Sequence, residues 1–290
     1  MRRAGILCHL TSLPRGTLGE DAAKFCMEIR SRGCTVWQML PITAPDEHLS
    51  PYASDSTFAI NLDLANPDIR YSLDYEQLDK WVKRNLHWLE DWALYEALKE
   101  GFGGKPWTEW PSKIRERDPV ALKEIKQDLE HDMSAWMRKQ FIVETDWGDL
   151  RRQAKDCRVK LFGDLPFFLA HDSADVWANQ HLFLLEESGA PAVVAGVPPD
   201  YFSDEGQRWG TVLYDWEAHR AEDFRWWKSR MKRMFKLFHM VRIDHFRAID
   251  SAWAIPAHHP TAEHGEWVEG PGDELLEAIL ASSPDGGLVA

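Results

Sequence analysis

The chain has 290 residues, which is long enough for one large hydrophobic core; a single eight-stranded α/β barrel typically takes about 250 residues. Its formal net charge is -13, from 34 Lys and Arg against 47 Asp and Glu. This balance argues against a nucleic-acid partner, because such binding needs a positive surface. The sequence also contains 15 Trp, whose flat faces build cores and also stack on neutral rings such as sugars.

The cysteines and the N-terminus indicate the compartment. Cys8, Cys26, Cys34 and Cys157 form no C-x-x-C pair and have no zinc-ligand spacing, which is typical of reduced thiols. The first apolar stretch is interrupted at His9, too early for a signal peptide, and no later run approaches a membrane span. We therefore predict a soluble, cytoplasmic protein with no membrane partner.

The N-terminal quarter combines two short apolar runs with a long polar segment. Gly5–Leu10 and Cys34–Leu40 are predicted to be strands, separated by a stretch of helical spacing. A polar loop follows from Thr43 to about Tyr75 and contains Ser50-Pro51-Tyr52. Residues 1–75 are thus predicted to form two strands and a long loop.

The next segment, residues 76–157, has a wholly helical pattern. Two apolar stripes at helical spacing indicate core-facing surfaces. The stripes consist of Leu86, Leu89, Ala93 and Ala97, and of Leu122, Ile125, Leu129, Met133 and Trp136. We interpret this segment as a helical insertion subdomain.

Residues 158–290 return to alternating strands and helices. The predicted strand Val159–Phe162 ends in Gly163-Asp164-Leu165-Pro166, and an aromatic, Gly- and Pro-rich loop is expected from Gly189 to Trp216. An amphipathic helix then leads into the apolar run before Arg242-Ile243-Asp244. The whole pattern predicts an α/β fold built of βα repeats.

Arg242 and Asp244 point the same way if this run is a strand, since residues two apart share a face. A cation beside a carboxylate favours its ionised form. An ionised Asp at the carboxyl end of a barrel strand is where such enzymes place catalytic groups. The residues alone also fit a structural ion pair that ends a buried strand.

A group of histidines near the C-terminus could indicate a metal site. His258, His259 and His264 lie near Glu263, but their spacing matches no standard zinc pattern. A polar surface loop is the favoured interpretation, and no metal or other cofactor is predicted.

Four motifs together carry a family resemblance. They are His9-Leu10-Thr11-Ser12-Leu13-Pro14, Gly163-Asp164-Leu165-Pro166, the block G-V-P-P-D-Y-F-S at 196–203, and R-I-D-H-F-R at 242–247. In this order the chain resembles the 4-α-glucanotransferases (amylomaltase or disproportionating enzyme, glycoside hydrolase family 77; EC 2.4.1.25). The resemblance implies a TIM (β/α)8-type glycosidase barrel and retaining transfer of α-1,4-glucan segments between maltooligosaccharides, without a metal or cofactor.

The resemblance also implies roles for single residues. Asp244 corresponds to the nucleophile, and Arg242 and His245 to neighbours that hold it and the sugar hydroxyls. Asp164 is expected to support the sugar at the cleavage point, and Tyr52 to stack on that sugar.

The resemblance also implies three aromatic residues that bind glucan, and an acid/base residue that has no counterpart in this sequence. Tyr201, Phe202 and Trp209 correspond to a mobile loop that covers bound glucan. The family's acid/base Glu lies in an A-E-D-L-G segment on the fifth barrel strand, and no such segment occurs here. The sequence stops at Gly286–Ala290, where that strand is expected to begin, so the acid/base would come next.

We therefore expect an N-terminal part of the enzyme, with about the first four βα units of an incomplete barrel. Residues 158–290 would hold barrel strands three and four and the aromatic loop, ending at the start of strand five. Alone, this chain would be inactive, and its partner would be the missing C-terminal half of its own barrel. Two alternatives stay open: a non-catalytic glucan-binding fragment, and an α-amylase-type hydrolase that releases glucose without building longer chains.

Overall fold

The computed structural model describes residues 3–46, 48–68, 74–284 and 286–290. The strands in these ranges are β1 (Gly5–Leu7), β2 (Val36–Gln38), β3 (Lys160–Leu165), β4 (Val193–Val197), β5 (Gln207–Val212), β6 (Met240–Ile243), β7 (Ser251–Pro256), β8 (Glu266–Glu269) and β9 (Leu288–Val289). The helices are α1 (Glu20–Ser31), α2 (Tyr75–Gly101), α3 (Ser112–Arg115), α4 (Pro119–Asp128), α5 (Glu130–Asp156), α6 (Ala174–Ala178), α7 (Trp216–Ala221), α8 (Arg225–Leu237) and α9 (Gly272–Ala281).

A parallel sheet in the order β1-β2-β3-β6-β9 forms the centre of the fold. One or more helices connect each strand to the next, as parallel pairing requires. In β6, Val241 and Ile243 are buried while Arg242 alternates to the other face. Asp164 lies directly opposite Arg242 in the pairing of β3 with β6. The carboxyl ends of these two strands therefore bring their polar residues together.

The strands differ in extent from the sequence expectations. β1 ends at Leu7, because Leu10–Ser12 forms a 3-10 turn closed by the Ser12 N–H donating to the His9 carbonyl at 3.0 Å. β3 runs to Leu165, so Asp164 lies inside the strand and not in a loop after it. This matters because strand pairing holds the Asp164 backbone in place.

A second sheet is antiparallel, with the order β5-β4-β7-β8. The expectation of one loop from Gly189 to Trp216 is therefore wrong, since this stretch contains β4 and β5. A register shift between Val194 and Gly196 interrupts the regular pairing. A Cβ at Gly196 would lie 2.1 Å from the Gln207 carbonyl oxygen, so this close pairing requires glycine. The bulge and the glycines hide the alternating pattern that identifies strands.

The long helices α2 and α5 pack against each other beside the parallel sheet. Asp74 accepts hydrogen bonds from the N–H groups of Glu76 and Gln77 and so caps α2. The first predicted stripe is wrong at Leu86, which is exposed, because Trp81, Asn85 and Trp88 form the buried face in this part of α2. Its other members, Leu89, Ala93 and Ala97, are buried. The second stripe is interrupted at Leu129, where α4 ends before α5 begins.

No helix within the described ranges has the length and apolar character needed to cross a membrane.

A buried ion pair joins α8 to the helical segment. The Arg233 guanidinium lies 2.6 Å from the Glu144 carboxylate of α5, and Lys236 lies 2.9 Å from it. Burial by itself raises the pKa of Glu144, but the charges and hydrogen bonds of Arg233 and Lys236 outweigh it and lower the pKa to about 2. Arg233 also donates to the Phe58 carbonyl at 2.8 Å. The pair therefore ties three segments together.

We expect Glu144→Gln to lower the free energy of unfolding by roughly 3 kcal/mol near neutral pH, because it leaves a buried guanidinium without its counter-charge. The pKa of Glu144 in the fold lies below its ordinary value of 4.5. Its contribution is therefore present above that value and is lost as the pH falls toward about 2. Urea unfolding at a series of pH values measures the difference between the two chains.

Glu124→Gln, at an exposed position of α4, is the control and should change the free energy by less than about 0.5 kcal/mol. A difference for Glu144→Gln that stays constant into strongly acid solution would contradict the assignment.

Candidate active site

One guanidinium binds two carboxylates where β3 and β6 end. Arg242 donates to Oδ1 of Asp164 at 2.6 Å through Nη1 and to Oδ1 of Asp244 through Nη2. The Asp244 N–H donates to the Leu165 carbonyl at 2.9 Å, which continues the pairing of the two strands beyond Ile243. Backbone pairing and one cation thus set the relative positions of the two acids.

Tyr52 joins this pair from the Ser-Pro-Tyr loop. Its hydroxyl donates to Oδ2 of Asp164 at 2.7 Å. Burial and this contact raise the pKa of Tyr52, so the phenol stays protonated and can donate. Burial also raises the pKa of Asp164, although Tyr52 and Arg242 oppose that rise. Asp164 is 2% exposed whereas the Asp244 side chain is 34% exposed, so only the latter is reachable from outside.

Asp244 faces a cavity of about 370 Å³ with aromatic walls. Phe168, Trp209 and Tyr52 supply aromatic surface, and His245 lies beside the carboxylate. The rings of Trp209 and His245 are perpendicular, with centroids 4.8 Å apart. Such a cavity combines flat apolar faces with a few polar groups, as sites for small polar ligands do.

His245 takes an unusual backbone conformation directly after Asp244. Its φ is 51°, in the left-handed region that non-glycine residues rarely adopt. This bend turns the chain away from β6 into the 3-10 turn Phe246–Ile249. Burial lowers the pKa of His245 below its ordinary value of 6.5, and the nearby Asp244 charge opposes this shift only in part. The imidazole is therefore neutral at pH 7. A neutral imidazole can donate and accept hydrogen bonds.

Two of the expected residues lie apart from this cluster. Tyr201 and Phe202 are 96% and 93% exposed at the tip of the β4–β5 hairpin, and neither lines the cavity. The Asp200 carboxylate accepts from the N–H groups of Phe202 and Ser203, which shapes the tip. Trp209, on β5 of the same hairpin, is the aromatic residue that reaches the cavity.

Sequence reasoning missed the residues that anchor the Ser-Pro-Tyr loop. The Asp175 carboxylate of α6 accepts from the Thr57 N–H at 2.8 Å, and the Arg230 guanidinium of α8 donates to the Thr57 hydroxyl at 2.6 Å. Asp55 lies against Glu96 of α2; burial raises its pKa to about 6, and that of Glu96 is raised as well. Contacts between residues so distant in sequence leave no local pattern to read.

The histidine loop between β7 and β8 is compact. The ring centroids of His258 and His259 are 4.4 Å apart, and those of His259 and His264 are 4.8 Å apart. Across the part of the chain that the structure describes, no group of three or more His, Cys, Asp or Glu is arranged to hold a metal ion. Arg208 of β5 donates to the His259 and Ala257 carbonyls, so this loop supports the aromatic hairpin.

The parallel sheet of βα units and the acid at the end of β6 fit the α/β barrel class of glycosidases, and solved structures of that class are similar to this chain. The chain is similar to amylomaltase from Streptococcus agalactiae in complex with acarbose, with a TM-score of 0.91 and 30% identity over 99% of this chain and 68% of that one. Amylomaltase from Corynebacterium glutamicum shares the fold, with a TM-score of 0.79 at 15% identity over 99% of this chain and 48% of that one.

The sequence identifies the family. It matches the 4-alpha-glucanotransferases of glycoside hydrolase family 77 over residues 8–77 and 71–290. It is 38% identical to a 4-alpha-glucanotransferase of Thermus thermophilus, over 96% of this chain and 65% of that protein. It is 36% identical to a 4-alpha-glucanotransferase of Aquifex aeolicus, over 100% of this chain and 68% of that protein. The chain belongs to this family, and the predicted resemblance is confirmed.

The match is partial in two ways. The chain spans about two thirds of the length of these relatives. The alignment with the Thermus relative covers 324 positions, more than the 290 residues here, so that relative has residues without a counterpart in this chain. The two family segments overlap at residues 71–77.

We expect Asp55→Asn to reduce the pH dependence of stability. Because the pKa of Asp55 is raised from 3.8 to about 6, its contribution is fully present below the ordinary value and is lost as the pH rises through about 6. An amide keeps the contact with Glu96 without this ionisation. The variant should therefore lose less stability than the natural chain across that range, by about 3 kcal/mol.

Thermal unfolding at several pH values measures this effect. Asp132→Asn, at an exposed position of α5, is the control and should follow the natural chain. Identical pH profiles for Asp55→Asn and the natural chain would show that Asp55 ionises without hindrance.

Proposed function

We propose that this chain carries the nucleophile side of a 4-α-glucanotransferase site, with Asp244 as the nucleophile. The complete site would transfer α-1,4-glucan segments between maltooligosaccharides with retention of configuration. The observation that carries this proposal is the bridging of Asp164 and Asp244 by the Arg242 guanidinium, which holds an accessible carboxylate in a fixed position at an aromatic-walled cavity.

The proposed reaction has two displacements. An Asp244 oxygen bonds to C1 of the donor glucosyl unit while the glycosidic bond breaks, and the leaving oxygen takes a proton from a general acid. The deprotonated acid then removes the proton from an acceptor 4-hydroxyl, whose oxygen attacks C1 and releases Asp244. Arg242 and His245 hold the nucleophile and the sugar hydroxyls in this proposal, and Asp164 and Tyr52 support the same sugar.

The general acid needs a second carboxyl about 5–5.5 Å from the nucleophile. Asp164 is engaged by Tyr52 and Arg242, and the Asp46 carboxylate accepts from the backbone N–H groups of His48 and Ser50. Neither is suited to proton transfer, because both are committed to other contacts. We therefore propose that the acid/base comes from the part of its relatives' length that these residues do not span.

The aromatic residues would favour a sugar acceptor over water. Trp209 and Tyr52 flank the cavity and would stack on glucosyl rings. The exposed Tyr201 and Phe202 would close over a bound glucan from the hairpin tip and exclude water from the intermediate. The proposed setting is starch or glycogen metabolism in the cytoplasm, which suits four unpaired cysteines.

A second candidate function is glucan binding without turnover by the chain alone. The engagement of both Asp46 and Asp164 in other contacts favours it. A glycosyl fluoride donor distinguishes binding alone from a competent nucleophile, because fluoride can leave C1 without a proton from a general acid.

We expect α-maltosyl fluoride to label the chain at Asp244. The carboxylate bonds to C1, the C1–F bond breaks and fluoride departs with the electron pair; the ester then persists because no base activates water. Intact mass measurement and peptide mapping of dilute protein detect the adduct. Asp244→Asn should abolish labelling, while Asp223→Asn, at an exposed position before α8, should label normally. An adduct on another residue, or none, would refute the assignment.

The edges of the parallel sheet support the incomplete-barrel proposal. β1 and β9 end the strand order, and unpaired strand edges promote association between chains. We expect the isolated chain to associate at micromolar concentration and to unfold over a broad temperature range; the separately expressed C-terminal half of a relative should suppress both effects. Light scattering and calorimetry measure them, and a monomer with a sharp cooperative transition would count against the proposal.

A further inference from the structure

Arg230 is a fully buried cation close to the proposed site. It lies on α8 with no exposed surface. A buried guanidinium is costly unless its N–H groups are all satisfied. Arg230 has no unpartnered side-chain nitrogen, and no carboxylate among the described residues lies within ion-pair distance of it. Its hydrogen bonds go to neutral oxygens.

Those oxygens belong to three different segments. Nε donates to the Thr57 hydroxyl at 2.6 Å. Nη2 donates to the Pro166 carbonyl, and Nη1 donates to the Phe167 carbonyl at 3.1 Å and to the Tyr214 hydroxyl at 3.3 Å. The Tyr214 hydroxyl itself donates to the Phe167 carbonyl at 2.6 Å. One planar group therefore holds all three segments in one arrangement.

Each segment carries part of the proposed site. Thr57 belongs to the same loop as Tyr52. Pro166 follows β3, which carries Asp164. Tyr214 follows β5, which carries Trp209. Arg230 lines the same cavity as Tyr52 and Asp164, between the loop and the end of β3.

The neighbouring Arg233 shows the contrast. It lies one turn further along α8 and is also buried, but it pairs with the Glu144 carboxylate at 2.6 Å. Arg233 also donates to the Phe58 carbonyl of the loop that carries Tyr52, but its remaining N–H groups face the Glu144 carboxylate, so it forms a structural ion pair. Arg230 instead donates its hydrogen bonds to backbone carbonyls and side-chain hydroxyls of loops. The planar fork of Arg suits this task, whereas the single ammonium of Lys cannot reach three separated acceptors at once.

We propose that Arg230 is a positioning residue of the glucan site, which fixes the Ser-Pro-Tyr loop against the end of β3 so that Tyr52 reaches Asp164. This rests on the proposed function, since it deepens the account of the same site. Arg230 acts through other residues and does not touch the sugar. A displacement of about 1 Å in such an arrangement can cost up to about 100-fold in rate.

The test uses Thr57, because replacement of Arg230 itself could prevent folding. Thr57→Val keeps the shape of the side chain and removes the hydroxyl that accepts from Nε, whereas Thr57→Ser keeps that hydroxyl. Val143→Ala, in the core side of α5 away from the cavity, provides a destabilised control. The readout is the rate of Asp244 labelling at saturating α-maltosyl fluoride, with the melting temperature of each variant measured alongside.

We expect Thr57→Val to label roughly ten-fold more slowly, Thr57→Ser to label within about two-fold of the natural chain, and Val143→Ala to melt earlier yet label normally. Tyr52→Phe combined with Thr57→Val should be little slower than either change alone, since both act on the Tyr52–Asp164 contact.

The outcomes separate the two proposals. Failure of the natural chain to label at Asp244 would overturn the proposed function. Normal labelling of the natural chain together with an unimpaired Thr57→Val would overturn the role of Arg230. The role of Arg230 would also be overturned if Thr57→Ser or Val143→Ala slowed labelling as much as Thr57→Val does. The same holds if the separate effects of Thr57→Val and Tyr52→Phe on the labelling rate multiply fully in the double variant.

Discussion

The shared hydrogen bonding of Arg242 to Asp164 and Asp244 is the interaction on which the rest of the site depends. Two carboxylates brought close together repel each other, and burial of either one adds a desolvation cost. The guanidinium offsets both effects because it offers separate N–H donors to each acid. Asp164 can therefore be almost fully buried, while the Asp244 side chain remains partly exposed to the cavity.

This arrangement needs a rigid frame, and buried charges supply much of it. α8 sends Arg230 to three site-bearing segments and Arg233 to Glu144 and Phe58. The same helix therefore connects the loop that carries Tyr52 both to the parallel sheet and to the helical segment. Such groups are expensive to bury, so each stays fixed only while all its partners are in place. The site geometry is thus a property of the packed fold and not of any one loop.

The aromatic hairpin is held differently. β4 and β5 belong to the antiparallel sheet, and Arg208 links β5 to the histidine loop through backbone carbonyls. Of the aromatic residues Tyr201, Phe202 and Trp209, Trp209 lines the cavity, while Tyr201 and Phe202 are exposed to solvent. An element anchored at its base and exposed at its tip can move its tip at low cost, because few contacts resist the motion.

The sequence by itself determined the parallel α/β pattern, the helical segment and the motifs that identify the family, because each is local: an apolar period, a strand end, or a run of adjacent residues. It also singled out Asp244, Arg242, Asp164 and Tyr52, which the fold brings into one hydrogen-bonded cluster. Only the tertiary structure decided that β4 and β5 are strands, that Leu86 is exposed, and that Arg230, Thr57 and Asp175 anchor the loop. These features depend on partners far away in the chain, often backbone carbonyls that every residue possesses, and such contacts leave no mark on the local sequence.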